Sequence, residues 1–260
     1  MWNIGTCATI NPRFRQEMED TFAVKSNLVD KRDLFVAMFD GHGGKDAAQW
    51  CANNFGRIFR HQMLQLGQRF QKIAVLNYTF TTADKLLPQG DQSGCTAAVA
   101  YLYHPDHHDP RQLSLCLANT GDTRIVLCNN GTAGRLTIDH TCKNAKERRR
   151  VRKSGGIVLH NRVSGILQLS RSIGDHDLRP YVCCAPYTAE ITIVPGDEFI
   201  ILATDGVWHV LKDQEAVDIV RMAQDPQQGS QAIIDQCLVR GSRDNISCIV
   251  IELGYLENHD

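Results

Sequence analysis

The segment LFVAMFDGHGG, residues 34–44, consists of an apolar run that ends abruptly at Asp40 and of the glycine-rich turn that follows. A short apolar run closed by turn residues predicts a buried strand. The glycines let the backbone turn tightly and approach a bound group closely. The strand would therefore end in a fixed carboxylate beside the exposed carbonyl of Gly41, and this pair of oxygen ligands suits hard cations such as magnesium and manganese.

The same turn also fits an interpretation that needs no ligand. The residues that follow it, from Lys45 onward, favour a helix, and Asp40 would then serve as the helix N-cap. Taken alone, the segment fits a metal ligand and a helix cap equally well. The choice between the two depends on the other acidic residues of the chain.

The composition is that of an ordinary globular protein, with 260 residues, of which 43% are hydrophobic and 22% charged. A net charge of −1 provides no drive toward nucleic acid or membranes. The basic run at residues 144–153 is therefore interpreted as a solvated helix. Ten scattered cysteines without a CxxC pair indicate buried free thiols in a reducing compartment. Because the first residues do not resemble a signal peptide, we expect a cytoplasmic protein, with the nucleus as the alternative.

The order of the predicted elements indicates an α+β fold. Strand-like segments occur in adjacent groups with helices between the groups, which favours antiparallel sheets over alternating βαβ units. Two helices are predicted within residues 45–87, with a break near Gly67 or Tyr78, and one long helix is predicted at residues 207–222. Residues 15–20 are predicted to lie on an extended strand, where the adjacent acids at its end would point to opposite sides.

Three predicted strand ends carry an aspartate followed by glycine or asparagine, namely Asp40, Asp205 and Asp244, and Glu19 adds a fourth acid. Clustered carboxylates repel one another and are costly to bury unpaired. Two divalent cations would remove that cost, would lower the pKa of a bridging water and would hold the oxygens of a phosphate ester. Arg15 would supply a bidentate phosphate clamp. The sequence motifs of other common hydrolase mechanisms, such as GxSxG, HExxH and the P-loop, are absent.

Eight motifs, in this order and spacing, resemble those of the metal-dependent protein phosphatases, the type 2C serine/threonine class. The resemblance extends from about Gly5 to Leu253 and implies one type 2C catalytic domain over residues 1–260. The motifs are RQEMED (15–20), DGHGG (40–44), SGCTA (93–97), NTGDTR (119–124), KSGG (153–156), RVSGILQLSRSIGD (162–175), ATDGVW (203–208) and SRDNIS (242–247).

The resemblance implies an α+β fold in which a central sandwich of two antiparallel β-sheets is flanked by α-helices, with a dinuclear metal cleft at one end. It also implies two Mg²⁺ or Mn²⁺ ions in the active site. Asp40 would bridge the two ions. Asp205 and Asp244 would complete one site, and Glu19 and the carbonyl of Gly41 would serve the other.

The activity that the resemblance implies is hydrolysis of phosphoserine and phosphothreonine monoesters by attack of a metal-bridging water. Asp20 would orient a metal-bound water and Arg15 would clamp the phosphate. His42 would be the general acid for the leaving alkoxide, a role that its near-neutral reference pKa suits. The alternative for His42 is a turn histidine with no proton-transfer role. The expected partners are phosphoprotein substrates, without nucleic acid or membrane, and the protein is expected to be a monomer.

One departure from the family pattern concerns a third, weaker metal site. Where the family has DGxWD, this chain has DGVWH, so that His209 replaces an aspartate that would share the site with Asp122. Neutral imidazole adds no charge and prefers softer metals than magnesium, so the third site is expected to be weak or absent. The same departure supports an alternative function, that of a catalytically weak family member acting as a phosphoprotein-binding scaffold. A two-metal phosphodiesterase or nuclease is a third possibility, and the lack of an aromatic and basic groove argues against it.

Overall fold

The computed structural model describes residues 2–67, 71–88, 92–106, 109 and 112–254. The described residues form six α-helices, α1 (Asp46–Leu66), α2 (Lys72–Leu86), α3 (Ala145–Lys153), α4 (Asp205–Trp208), α5 (Asp213–Arg221) and α6 (Pro226–Val239), and a 3₁₀ turn at His176–Leu178. They also form fifteen strands, β1 (Ile4–Thr9), β2 (Thr21–Ser26), β3 (Leu34–Phe39), β4 (Gly41–His42), β5 (Gly94–Cys95), β6 (Ala97–Tyr103), β7 (Ser114–Thr120), β8 (Arg124–Asn129), β9 (Thr132–Arg135), β10 (Val158–Leu159), β11 (Arg162–Val163), β12 (Ile173–Gly174), β13 (Tyr187–Thr192), β14 (Asp197–Ala203) and β15 (Ile246–Glu252).

Two five-stranded sheets lie at the centre of the fold, one in the order β1-β15-β14-β8-β9 and the other in the order β13-β7-β6-β3-β2. Every strand pairing within them is antiparallel. Apolar side chains from both sheets, such as Val36, Leu117, Ile200 and Ile249, belong to one buried cluster. The two sheets therefore pack face to face, and the predicted antiparallel sandwich is confirmed.

Helices cover the outer faces of both sheets. Helices α1 and α2 pack on the sheet that contains β3, where the Phe59 ring lies 5.4 Å from Phe35 and 5.0 Å from Tyr101. On the other sheet, residues of α4, α5 and α6 share a buried cluster with β14 and β15. The break between the two long helices falls at Gly67, the first of the two predicted positions, and Tyr78 lies inside α2.

Strand β3 is buried along its whole length. Phe35, Ala37 and Phe39 contact the cluster beneath α1 and α2. The alternating residues contribute to the cluster between the sheets. Because both faces of the strand are covered, its sequence is a continuous apolar run rather than an alternating one.

Two predictions of local structure are wrong. Residues 15–20 are a loop between β1 and β2 rather than a strand; a turn precedes this loop, in which Asn11 has a φ of 56° and its carbonyl accepts hydrogen bonds from the backbone N–H groups of Phe14 and Arg15. The long helix predicted at residues 207–222 is divided into α4 and α5. The second of these begins after Lys212, whose backbone N–H donates to the Glu215 carboxylate and so fixes a new helix start.

The basic run forms α3, as predicted, with Asn144 as its N-cap. Part of its charge serves the fold, since Arg150 lies 3.1 Å from the buried carboxylate of Glu147, which Arg171, outside the run, also contacts at 2.5 Å. All ten cysteines are free and seven are buried, which agrees with the predicted reduced thiols. In the described ranges, none of the helices combines the length and the apolar character needed to span a bilayer.

Candidate metal centre and active site

Three strand ends bring aspartates together at one edge of the sandwich. Asp40 follows β3, Asp205 follows β14 after one residue, and Asp122 lies in the turn between β7 and β8. One carboxylate oxygen from each of the three lies within 4.8 Å of the others. The interpretation of Asp40 as a helix cap is wrong, because the N-cap of α1 is Lys45.

Burial, and then mutual repulsion, raises the pKa of the aspartates around this cluster. Loss of hydration, and then the charges of Asp205 and Asp20, raise the pKa of Asp40 well above its usual range. Loss of hydration, with the charge of Asp205, raises the pKa of Asp122 to about 8. Loss of hydration also raises the pKa of Asp205, and that of Asp20 to about 7. A concentration of oxygen donors with excess negative charge fits a hard divalent cation such as Mg²⁺ or Mn²⁺.

These pKa shifts predict how the stability of the metal-free protein depends on pH. An acid with a raised folded-state pKa keeps its proton in the folded protein at a pH where the unfolded chain has lost it. Its contribution to the free energy of unfolding therefore falls as the pH rises toward the folded-state pKa. His140, whose pKa burial lowers to about 4, has the opposite effect, but only below about pH 6.5. In the presence of a metal chelator, we therefore expect the melting temperature to fall as the pH rises from about 6.5 to 8.

Differential scanning fluorimetry in EDTA and in saturating Mn²⁺ checks this expectation. The variant Asp122→Asn should show a shallower decrease than the parent protein, because one of the shifted groups is gone. Saturating Mn²⁺ should remove most of the decrease, since a bound cation holds the carboxylates in their charged form. A melting temperature in EDTA that stays constant or rises from pH 6.5 to 8 would contradict the repulsion described above.

The predicted phosphate clamp lies beside the predicted metal ligands. Nη2 of Arg15 is 2.6 Å from the Asp244 carboxylate, and Nη1 is 3.7 Å from that of Glu19. The side chain of Asn245, which the sequence analysis did not single out, holds this loop in place. Its amide nitrogen donates to the carbonyl of Glu17, and its oxygen accepts the backbone N–H of Glu19. The adjacency of Asn245 to Asp244 in SRDNIS was the available signal.

The side chains of Glu19 and Asp20 both have partners near the carboxylate cluster, because the chain bends there rather than continuing as a strand. The Glu19 carboxylate accepts the backbone N–H of Gly44 at 2.8 Å. The buried Asp20 carboxylate accepts the hydroxyl of Thr204 at 2.9 Å, and the charges of nearby site aspartates contribute to its raised pKa. A Cβ at Gly41 would lie only 2.6 Å from the carbonyl oxygen of Glu19, so only glycine allows these two segments to approach.

The two histidines singled out from the sequence lie at different points of the site. His42 is in β4, directly after Gly41, and its Nε2 lies 2.8 Å from the Asp175 carboxylate. The side chain of His209 is 52% exposed, and its Nδ1 lies 3.6 Å from the carboxylate of Asp205, four residues earlier in the chain. Asp205 and Asp122 share the carboxylate cluster, so His209 lies beside that cluster, and its role as a third-metal ligand stays a prediction.

The third site stays a prediction, and the variant His209→Asp tests it. An aspartate beside Asp205 would add negative charge and oxygen ligands, so we expect manganese to bind next to Asp122 in the variant and not in the parent protein. Manganese titration by calorimetry, with crystals soaked in manganese, measures the number of ions. His209→Asn is the matched control, because it removes the imidazole without adding charge. Equal occupancy of this site in the unmutated protein would contradict the prediction.

Comparison with known proteins identifies the family of this chain. The family model described as Protein phosphatase 2C matches residues 5–246. Protein phosphatase 2C homolog 1 of Schizosaccharomyces pombe is 38% identical over 257 residues, which cover 97% of this chain and 73% of that protein. Its namesake in Saccharomyces cerevisiae is 34% identical over 264 residues, which cover 97% of this chain and 94% of that protein.

Solved structures share the fold at lower sequence identity. A C. elegans sex determining protein superposes with a TM-score of 0.87 and 23% identity, over 97% of this chain and 65% of that one. Serine-threonine phosphatase 2C from Toxoplasma gondii superposes with a TM-score of 0.83 and 23% identity, over 96% of this chain and 94% of that one. With the extent of the family match and the identity to the yeast proteins, these findings establish that the chain belongs to the protein phosphatase 2C family of metal-dependent serine/threonine phosphatases.

Proposed function

We propose that this enzyme hydrolyses phosphoserine and phosphothreonine monoesters of proteins with two divalent cations, Mg²⁺ or Mn²⁺, at the carboxylate cluster. The observation that carries the proposal is the approach of the Asp40, Asp122 and Asp205 carboxylates to within 4.8 Å of one another. Loss of hydration, together with the charges of neighbouring aspartates, raises the pKa of each of these three carboxyl groups in the metal-free protein. Binding of cations would relieve this repulsion.

Five residues are proposed to hold the two ions. Asp40 would be shared between them, Asp205 and Asp244 would serve one ion, and Glu19 and the carbonyl of Gly41 would serve the other. When bound, the ions would polarise the phosphate oxygens and lower the pKa of a coordinated water. The contacts of Arg15 support the choice of Asp244 and Glu19 as cation ligands. Its positively charged guanidinium lies between these two carboxylates.

Three side chains would act on the substrate and on water. The Arg15 guanidinium would bind phosphate oxygens in two hydrogen bonds. The Asp20 carboxylate, held by the hydroxyl of Thr204, would accept a hydrogen bond from the attacking water and orient it. His42 would donate a proton to the serine or threonine oxygen as the P–O bond breaks, because an alkoxide is a poor leaving group.

We further propose a single catalytic domain over residues 1–260 that acts as a monomer. All of the proposed site residues come from one chain, so catalysis requires no partner subunit. The seven buried free cysteines support a reducing compartment, the cytoplasm or the nucleus. Phosphoproteins would be the substrates, with no role for nucleic acid or membranes.

The experiment that tests the function is turnover of phosphoserine and phosphothreonine peptides in Mg²⁺, in Mn²⁺ and in EDTA. Phosphate release that requires the metal is the expected result. Peptide binding without phosphate release would instead support a scaffold. Cleavage of bis(p-nitrophenyl) phosphate or of single-stranded nucleic acid in preference to the peptides would support a phosphodiesterase.

A further inference from the structure

A small sheet beside the carboxylate cluster joins two distant parts of the chain. Its three strands lie in the order β12-β5-β4 and are antiparallel. The register pairs His42 with Gly94 and Gly94 with Gly174, so these three residues form one row across the sheet. The residue directly after Gly174 is Asp175, which the sheet therefore delivers to the neighbourhood of His42 although 133 positions separate the two in the chain.

The Asp175 carboxylate contacts the imidazole of His42. Its Oδ2 lies 2.8 Å from Nε2 of His42, and the hydroxyl of Ser172 donates a hydrogen bond to the same oxygen. The Asp175 side chain is only 7% exposed, whereas that of His42 is 25% exposed. The carboxylate thus lies behind the imidazole, away from water, and is itself held by a neighbouring hydroxyl.

The backbone around this pair is tightly packed. A Cβ on Gly94 would overlap with Oδ2 of Asp175 and would lie 2.7 Å from Nε2 of His42. Gly174 and Asp175 have φ values of 86° and 49°, so the chain turns sharply in the left-handed region just where the carboxylate meets the ring. Aspartate is one of the few residues other than glycine that adopt this conformation readily. The backbone therefore brings the two side chains next to each other.

We infer that Asp175 is a positioning residue that holds the imidazole of His42 by its Nε2–H and leaves Nδ1 as the nitrogen that transfers a proton. Among the residues that the structure describes, Nδ1 of His42 has no hydrogen-bond partner. A carboxylate that accepts one ring N–H fixes both the orientation and the tautomer of a histidine. The inference rests on the proposed function, since it assigns a support to the proposed general acid.

In the proton transfer that Asp175 would support, every proton is exchanged between His42, the substrate and water. Water attacks phosphorus, the bond from phosphorus to the serine or threonine oxygen breaks, and its electron pair stays on that oxygen. The imidazolium of His42 gives its Nδ1 proton to this oxygen and keeps its Nε2–H on Asp175. The products are the alcohol and inorganic phosphate, and the proton released by the attacking water returns to the imidazole through solvent.

The variant Asp175→Asn tests the inference with two substrates that differ in leaving group. The serine oxygen of a phosphopeptide needs a proton as it leaves, whereas the p-nitrophenolate of p-nitrophenyl phosphate does not. We expect kcat to fall about 10- to 100-fold on the phosphopeptide and much less on p-nitrophenyl phosphate. The inhibition constant of inorganic phosphate and the Mn²⁺ concentration needed for half activity should stay as in the parent protein. A loss that is equal on both substrates would overturn the inference.

A matched control is Asp84→Asn. Asp84 is also a carboxylate with little exposure beside β12, where it accepts the backbone N–H of Gly174 at 2.9 Å and pairs with Arg179. No contact between Asp84 and His42 occurs among the described residues. This variant should show no difference between the two leaving groups. In the background His42→Asn, adding Asp175→Asn should cause no further loss on the phosphopeptide, because the group that Asp175 positions is already absent.

A spectroscopic readout separates this inference from the proposed function. Nitrogen-15 NMR correlation spectra of the metal-free protein in EDTA should show the proton of neutral His42 on Nε2. The Asp175→Asn variant should change the chemical shifts of the two ring nitrogens. Should Asp175→Asn fail to fold, Ser172→Ala removes only the hydroxyl that holds the carboxylate and should give a smaller loss with the same leaving-group dependence. A parent protein inactive on both substrates would refute the proposed function. An active parent whose Asp175→Asn spectra and leaving-group dependence are unchanged would refute only the positioning role.

Discussion

Replacing Asp205 with Asn is expected to lower kcat on a phosphoserine peptide by about a thousandfold or more, while the protein keeps its fold. The Asp205 carboxylate shares a cluster with those of Asp40 and Asp122, and asparagine offers only one neutral oxygen in its place. Because loss of hydration, and then the charge of Asp244, raises the pKa of Asp205 in the metal-free protein, a neutral amide is also less costly to bury there. The melting temperature in EDTA should therefore be equal to or above that of the parent protein, and Mn²⁺ should raise it less.

The control for this variant is Asp197→Asn, at the opposite end of the same strand. Asp197 is buried and begins β14, where its carboxylate accepts hydrogen bonds from Asn129 and from the backbone of Val194. Its replacement repeats the chemical change far from the cluster, so activity should be retained. Phosphopeptide turnover and thermal melts of the three proteins decide the matter. Near-parental activity of purified Asp205→Asn would show that Asp205 is not part of the metal centre.

The parts of the fold that depend on local pattern could be predicted from the sequence. The apolar run of β3 and the helical stretch interrupted at Gly67 follow from periodicity and turn residues, which act over a few positions. The acids at Asp40 and Asp205 could be found because each stands where an apolar strand gives way to glycine. That they meet in space could be inferred only from the repulsion that a metal would relieve and from the family resemblance.

The contacts that complete the site could not be predicted in this way. The pairs Arg15–Asp244 and His42–Asp175 join positions 229 and 133 residues apart. Sheet register and the bend at residues 15–20 bring them together, and neither feature has a local signature. Asp175 lay within the motif RVSGILQLSRSIGD, but its neighbours there are mostly polar and gave no pattern that predicts β12 or the 3₁₀ turn. No apolar strand pattern ends at Asp175, so this carboxylate gave no signal of its own.

The ion pair between Arg15 and Asp244 bears on the second large effect, which is expected for Arg15→Ala. A cation bound at Asp244 would compete with the guanidinium and leave it available for phosphate. Removal of a charge-assisted bidentate contact should weaken phosphate binding by about 2–3 kcal/mol, which corresponds to a rise of roughly 30- to 150-fold in the inhibition constant of inorganic phosphate. Mn²⁺ affinity should be equal or higher, because Asp244 loses its competing partner.

Arg13→Ala is the matched control for this prediction. Arg13 is exposed in the same loop, and its guanidinium lies over the ring of Phe14, 5.3 Å from the ring centre. The Arg13→Ala variant removes one positive charge two residues from Arg15, so a general loss of electrostatic attraction would affect both variants alike. Phosphate inhibition and Mn²⁺ titration, measured at the same ionic strength, separate the two cases. If Arg15→Ala keeps the inhibition constant of the parent, or if Arg13→Ala raises it as much, Arg15 is a structural partner of Asp244 and not the phosphate clamp.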